Sequence, residues 1–189
     1  MRPSWIEVDL AAVRHNVETL ARLVAPAQLC AVVKADGYGH GDVPIATTVI
    51  EAGAPWLAVA LVEEGARLRE AGITAPILLL SEPPDVDAAA VIEWDLTPTV
   101  YTESFCDAIS GLSSEPVGVH LKVDTGMHRV GASPQDAMAM ARRIDSDPNL
   151  TLAAVWTHLA VAEEDADYTA RQVASIRGFL AAIGGEGID

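Results

Sequence analysis

Apolar and polar positions follow two rhythms along this chain. Six short runs are strand candidates, several of them continuous in apolar residues: 29–33, 56–61, 76–80, 97–101, 117–123 and 152–158. Runs of that length without strict alternation predict parallel strands covered on both faces. Between them, apolar residues recur every three or four positions. Leu10, Val13, Val17 and Leu20 share one face of a helix that Asp9 can cap. A second helix starts with Asp42 as its cap and stops at Gly53, and a third covers 62–71 and stops at Gly72. Ser133, Pro134 and Asp136 form a helix start, with proline at the first position and a carboxylate in the first turn. Thr169, Val173, Ile176 and Leu180 line one face of a last helix, before Gly184 and Gly185.

This alternation predicts a parallel α/β architecture, either a barrel or a doubly wound sheet. Pattern alone does not choose between them. No GxGxxG follows the first strand, so a dinucleotide-binding sheet lacks support. A complete (β/α)8 barrel takes about 250 residues, whereas 189 residues here hold six good strands. The barrel reading therefore predicts an incomplete barrel. The opening WIEVDL is a seventh strand candidate. No linker, repeat or low-complexity tract divides the chain, which reads as one domain over 1–189.

Composition narrows the picture by exclusion. Half of the residues are apolar, which argues against disorder. The formal net charge of -15 argues against nucleic-acid or anionic-membrane partners, which need a basic patch. Two cysteines, Cys30 and Cys106, make no disulfide framework, and Cys30 reads as a small buried hydrophobe. Glu7 and Asp9 fall where a signal peptide would be apolar, and no run is long enough to span a bilayer. The expectation is a soluble, cytoplasmic protein. His15, His40 and His120 do not have metal-ligand spacing, and no metal is expected. The tryptophans Trp5, Trp56, Trp94 and Trp156 read as packing residues.

The most specific chemistry lies in residues 31–41, AVVKADGYGHG. Lys34 closes an apolar run and is followed by a glycine-rich turn. Lysine prefers solvent, so an amine at the end of a buried strand asks for an explanation. A desolvated amine loses its proton more easily and becomes a nucleophile toward aldehydes. Gly37, Gly39 and Gly41 allow close approach of backbone to a ligand, and Tyr38 adds a hydroxyl within a turn of the amine. The plain alternative is a lysine snorkelling from a strand end.

AVVKADGYGHG resembles the pyridoxal-phosphate signature of the alanine racemase family. Residues 119–131, VHLKVDTGMHRVG, resemble that family's second signature, and WTHLA at 156–160 fits a third position. The resemblance implies a (β/α)8 barrel, with the chemistry at the C-terminal ends of its strands, where Lys34, Asp124 and His158 are expected. It implies pyridoxal 5'-phosphate as cofactor, bonded by Lys34, with Tyr38 on the phosphate. It also implies that Lys34 moves a proton on one face of the alanine Cα. Arg129 would contact the cofactor's phenolic oxygen and the substrate carboxylate, which its planar fork can hold bidentately. Lys122, matching a lysine that is often carbamylated, would orient Arg129. His158 would act through an arginine near the pyridine nitrogen. His128 departs from the family pattern, where a small residue or asparagine is more usual.

The alternatives at these positions stay open. Lys122 or Arg129 could simply pair with Asp124, and His158 could be a satisfied polar group at a strand end. The resemblance further implies a homodimer whose other subunit supplies a tyrosine, from a C-terminal β domain, as the second acid–base group. No segment of the 189 residues matches that domain, so the chain by itself is expected to be the inactive N-terminal portion of a racemase that supplies D-alanine to the cell wall. Two other readings are a non-catalytic pyridoxal-phosphate carrier on the same barrel type, and a structural fragment without cofactor whose open strand edges associate.

Overall fold

The computed structural model describes residues 4–188, which contain six strands, all parallel, alternating with helices. The chain divides into two compact units. The first is Met1–Leu80 with Trp94–Leu96, and the second is Ser81–Glu93 with Thr97–Asp189.

The first unit begins with α1 (Leu10–Val24), whose N-terminus Asp9 caps as expected, accepting from the Ala11 and Ala12 N–H groups. Strands β1 (Cys30–Val32), β2 (Trp56–Val59) and β3 (Ile77–Leu79) form one sheet in the order β1-β2-β3. Registers pair Val32 with Ala58 and Leu57 with Ile77. The one-turn α2 (Lys34–Gly39) and helix α3 (Asp42–Glu51) connect β1 to β2, and α4 (Val62–Glu70) connects β2 to β3. Leu57, Ala58, Ile77 and Leu68 are fully buried here, each large aliphatic contributing roughly 1.5–3 kcal/mol.

Two expectations fail in this unit. On β1, an edge strand of its sheet, Cys30 and Val32 are exposed and only Val33 beyond them is buried. Cys30 is therefore not a buried hydrophobe. Asp42 is not the cap of α3 but its first residue. Gly41 occupies the cap position, and the Asp42 N–H is instead taken by the Asp36 carboxylate at 3.0 Å.

The second unit opens with a 3-10 turn (Asp85–Asp87) and α5 (Ala88–Glu93). Strands β4 (Thr99–Val100), β5 (Val117–Lys122) and β6 (Leu150–Trp156) make its sheet. Helices α6 (Glu103–Ile109) and α7 (Pro134–Asp145) cross between them, and α8 (Ala166–Gly185) follows β6. Ser133 caps α7 through the Asp136 N–H, as its sequence predicts. Phe105, Ile109, Val119, Leu121 and Ile144 are fully buried.

Here too the expectations need correction. β6 runs two residues earlier than its apolar run predicts, so His158 lies in the loop after the strand and does not close it. The buried face of α8 carries Gln172, Phe179 and Ile183, while Leu180 is 47% exposed. Apolar spacing alone could not foresee a glutamine at the centre of that face.

Candidate active site

Lys34, Asp124 and His158 each sit two residues beyond the last residue of a strand, after Val32, Lys122 and Trp156 respectively. All three strands are parallel members of their sheets, so these residues stand at C-terminal strand ends.

In the first unit, Lys34 opens a turn that winds with the unusual hand. Ala35, Asp36, Gly37 and Tyr38 all have φ between 51° and 59°, the left-handed helical region. That hand costs about 1–2 kcal/mol for each non-glycine residue, so the turn must be held from outside. Hydrogen bonds from the Gly37 N–H to the Val33 carbonyl and from the Gly41 N–H to the Asp36 carbonyl close it, both at 2.9 Å. Glu64 grips its entrance. One carboxylate oxygen accepts from the Ala35 N–H at 2.7 Å, and the other accepts from the Ala60 and Leu61 N–H groups at 2.7 and 3.1 Å. Arg67 and Asp42 pair beside the turn. Lys34 itself is half-buried, with Nζ 6.0 Å from the centroid of the exposed Tyr38 ring. An amine and a phenol thus share one side of a rigid turn.

In the second unit, Lys122, Asp124, Met127, Arg129, Thr157 and His158 line one pocket. Lys122 is 3% exposed, and its Nζ lies 3.5 Å from the centroid of the Trp156 ring. The ring face attracts the ammonium. The Trp156 indole N–H donates to Thr99 Oγ1 at 3.2 Å, which fixes the ring. Burial first, and then the neighbouring Arg129 charge, pull the Lys122 amine down from its ordinary 10.5 to about 8, against a small opposing effect of Asp124.

Asp124 pairs with neither Lys122 nor Arg129. Its carboxylate accepts from the Gly126 and His128 N–H groups at 2.9 and 3.1 Å, and its second oxygen lies 3.2 Å from His128 Nδ1. Burial alone would raise this carboxyl, but the Gly126 and His128 N–H groups, the His128 charge and the Met127 N–H hold it below the usual range. Asp124 therefore shapes the loop. Arg129 is exposed and takes part in none of the ion pairs among the described residues. His158 is also exposed.

Within the first unit Lys34 stands with Tyr38, and within the second Lys122, Arg129 and His158 line one pocket. Glu64 and Trp156 were not foreseen as functional from sequence. Glu64 at the third position of α4 carries a recognisable capping signal for that helix, but nothing local shows that it also reaches Ala35.

The residues suit an aldehyde-bearing, anionic cofactor. In the first unit a half-buried primary amine stands beside a phenol, and in the second the Arg129 guanidinium is in no ion pair among the described residues. Fold and side chains define a parallel α/β chain with a lysine at the C-terminal end of its first strand. The family description "Alanine racemase, N-terminal domain" matches residues 8–189, and the chain belongs to this family. It is 40% identical to an alanine racemase of Desulfovibrio desulfuricans over 99% of this chain and 52% of the relative. It is 43% identical to one from Symbiobacterium thermophilum over 100% of this chain and 51% of the relative. Among solved structures, it is similar to alanine racemase from Bacillus anthracis with bound L-Ala-P (TM-score 0.91, 35% identity, all of this chain and 50% of that one). It is also similar to the enzyme from Clostridium difficile 630 (TM-score 0.91, 31% identity, all of this chain and 51% of that one). The (β/α)8-type assignment follows from this likeness. The chain spans about half the length of the curated relatives it matches.

Proposed function

We propose that residues 1–189 are the cofactor-lysine portion of the N-terminal barrel domain of an alanine racemase, which interconverts L- and D-alanine and supplies D-alanine for the cell wall. The observation that carries this reading is the Lys34 amine at the start of a braced left-handed turn, at the C-terminal end of β1. Its support is a family match that covers both motif blocks. The reading includes a cytoplasmic homodimer, as the family likeness implies. Among the described residues no helix is long and apolar enough to cross a membrane.

Pyridoxal 5'-phosphate would be held by Lys34 through its nitrogen, by the Tyr38 hydroxyl at its phosphate and by Arg129 at its phenolic oxygen. His158 would act through a further arginine facing the ring nitrogen. When bound, the cofactor draws electrons from the substrate Cα and makes its proton removable. Lys34 would take or return that proton on one face. The Arg129 guanidinium receives the substrate carboxylate in a bidentate grip and so sets which face Lys34 meets. The opposite face requires a second acid–base group, which this reading assigns to the partner subunit.

The lowered Lys122 amine fits a carbamate. At pH 7 a group titrating at about 8 is roughly one-tenth neutral. The neutral nitrogen can bond the carbon of CO2, releasing one proton to solvent. The resulting anion would neutralise the local excess of positive charge beside Arg129. Carbon-13 bicarbonate should give a carbamate resonance that Lys122→Ala lacks, and its absence from the intact protein removes the carbamate.

The main test uses full-length protein with pyridoxal phosphate. Lys34→Ala should abolish the visible absorbance of lysine-bound cofactor and lower racemisation at least a thousandfold, within the range of lost acid–base catalysis. Arg129→Ala should still form the lysine-bound cofactor, with its band shifted by loss of the contact to the phenolic oxygen, and raise KM for alanine about 10- to 100-fold, the loss of a charged hydrogen-bonded contact. A band that survives Lys34→Ala removes Lys34 from its role. Cofactor binding without any alanine racemisation points instead to a carrier.

A further inference from the structure

We propose that Gln172, with Tyr168 one turn before it on α8, is a positioning residue that fixes the loops carrying Arg129 and His158; this rests on the racemase reading above. Gln172 is 1% exposed. Burying an amide is tolerable only when both of its ends find partners. Gln172 Nε2 donates to Thr125 Oγ1 at 3.2 Å and to the His158 carbonyl at 3.1 Å, and Oε1 accepts from the Ala160 N–H at 2.8 Å. The orientation of the amide is forced by the backbone, because an N–H can only donate and a carbonyl can only accept.

The direction continues through the side chains beyond it. Thr157 Oγ1 donates to the Val123 carbonyl at 2.8 Å. Its single proton is then committed, so Thr125 Oγ1, 2.8 Å away, must donate to it. The result is a one-way relay from Gln172 through Thr125 and Thr157 to the backbone between Lys122 and Asp124. It joins α8 to the ends of β5 and β6. The Tyr168 hydroxyl adds a 2.6 Å bond to the Gly126 carbonyl, the next residue of the same loop. A Cβ on Gly126 would lie 2.6 Å from that hydroxyl oxygen at φ +141°, so the loop needs glycine to meet Tyr168.

The loop has little freedom left. Its ends are tied by the Asp124 N–H to the Ala132 carbonyl at 2.8 Å and by the Ala132 N–H to the Lys122 carbonyl at 3.0 Å. Arg129 is in no ion pair among the described residues, so its place is set by the loop beneath it. Gln172 therefore acts on a bound carboxylate through Arg129, without touching it.

The test compares full-length wild-type protein, loaded with pyridoxal phosphate, with Gln172→Glu, Gln172→Met and Tyr168→Phe. Glutamate is nearly isosteric and keeps an acceptor for Ala160, but has no N–H for Thr125 or His158. Methionine fills the space with neither. KM for alanine should rise about 10- to 100-fold in both Gln172 variants and less in Tyr168→Phe, with kcat changing less than KM. Lysine-bound cofactor absorbance should be unchanged. Amide hydrogen exchange should quicken at 125–131 and 158–160 but not at 34–41. A merely structural role would lower the melting temperature and the active fraction at unchanged KM. Wild-type KM in both Gln172 variants, or exchange that quickens evenly over the chain, overturns the proposal. Wild-type protein that binds cofactor but does not racemise alanine overturns the functional reading instead, and the exchange pattern then decides whether Gln172 holds the two loops.

Discussion

Between Lys34 and Gly41 the chain is strained and braced at its backbone, with four successive residues wound left-handed and a carboxylate on the first N–H after the lysine. Between Asp124 and Gly131 it is braced mostly by side chains, two of them arriving from α8, more than forty residues later. Both regions present a cationic side chain at the end of a parallel strand. The first relies on local geometry whose cost is offset by Glu64. The second relies on a buried polar relay in which every donor has one acceptor. The turn is written within a short stretch of sequence, whereas its brace and the relay exist only once distant elements have packed.

The contrast can be broken most strongly at Glu64. Glu64→Ala removes the acceptor for three backbone N–H groups and should destabilise the protein by about 3 kcal/mol, the scale of hydrogen bonds to a charged group. Denaturant midpoints measure this, and a loss no larger than that of an ordinary surface substitution would show that the left-handed turn holds itself.

Lys122 gives the next largest effect and tests the second region. Its folded value of about 8 lies below the ordinary 10.5, so the unfolded chain binds more protons between those values. Stability should therefore rise with pH from about 8 toward 10.5. In CO2-free buffer, Lys122→Met should exceed the wild type by up to about 3 kcal/mol at pH 7, with the gap closing toward pH 10.5. A gap constant across that range would mean that Lys122 is not desolvated.

The smallest effect is expected at His128, which combines a φ of 55° with an ion pair to Asp124 on a side chain 80% exposed. Asparagine tolerates that backbone better and still leaves Asp124 its N–H partners. His128→Asn should change stability by less than about 0.5 kcal/mol. A clear loss in equilibrium unfolding would make the imidazole part of the loop's brace.

Much of this is legible in the sequence. The six apolar runs became six parallel strands, and Asp9 and Ser133 cap the helices they were expected to cap. The amine, the phenol and the guanidinium were visible because they sit in short motifs. Missed were the exposed edge position of β1, the two-residue offset of β6 that leaves His158 in a loop, and the glutamine on the buried face of α8. Trp156 read as packing, yet it lies under Lys122.

What the sequence by itself determined is the order of strands and helices and the identity of the chemical groups at their ends, because apolar period, caps and motif residues act over a few positions. Only the tertiary structure decided which groups hold those ends in place. Glu64 is 29 residues from Ala35 and Gln172 is 47 from Thr125. A hydrogen bond of that span depends on distance and direction in space, and nothing in the local pattern of either residue encodes its partner.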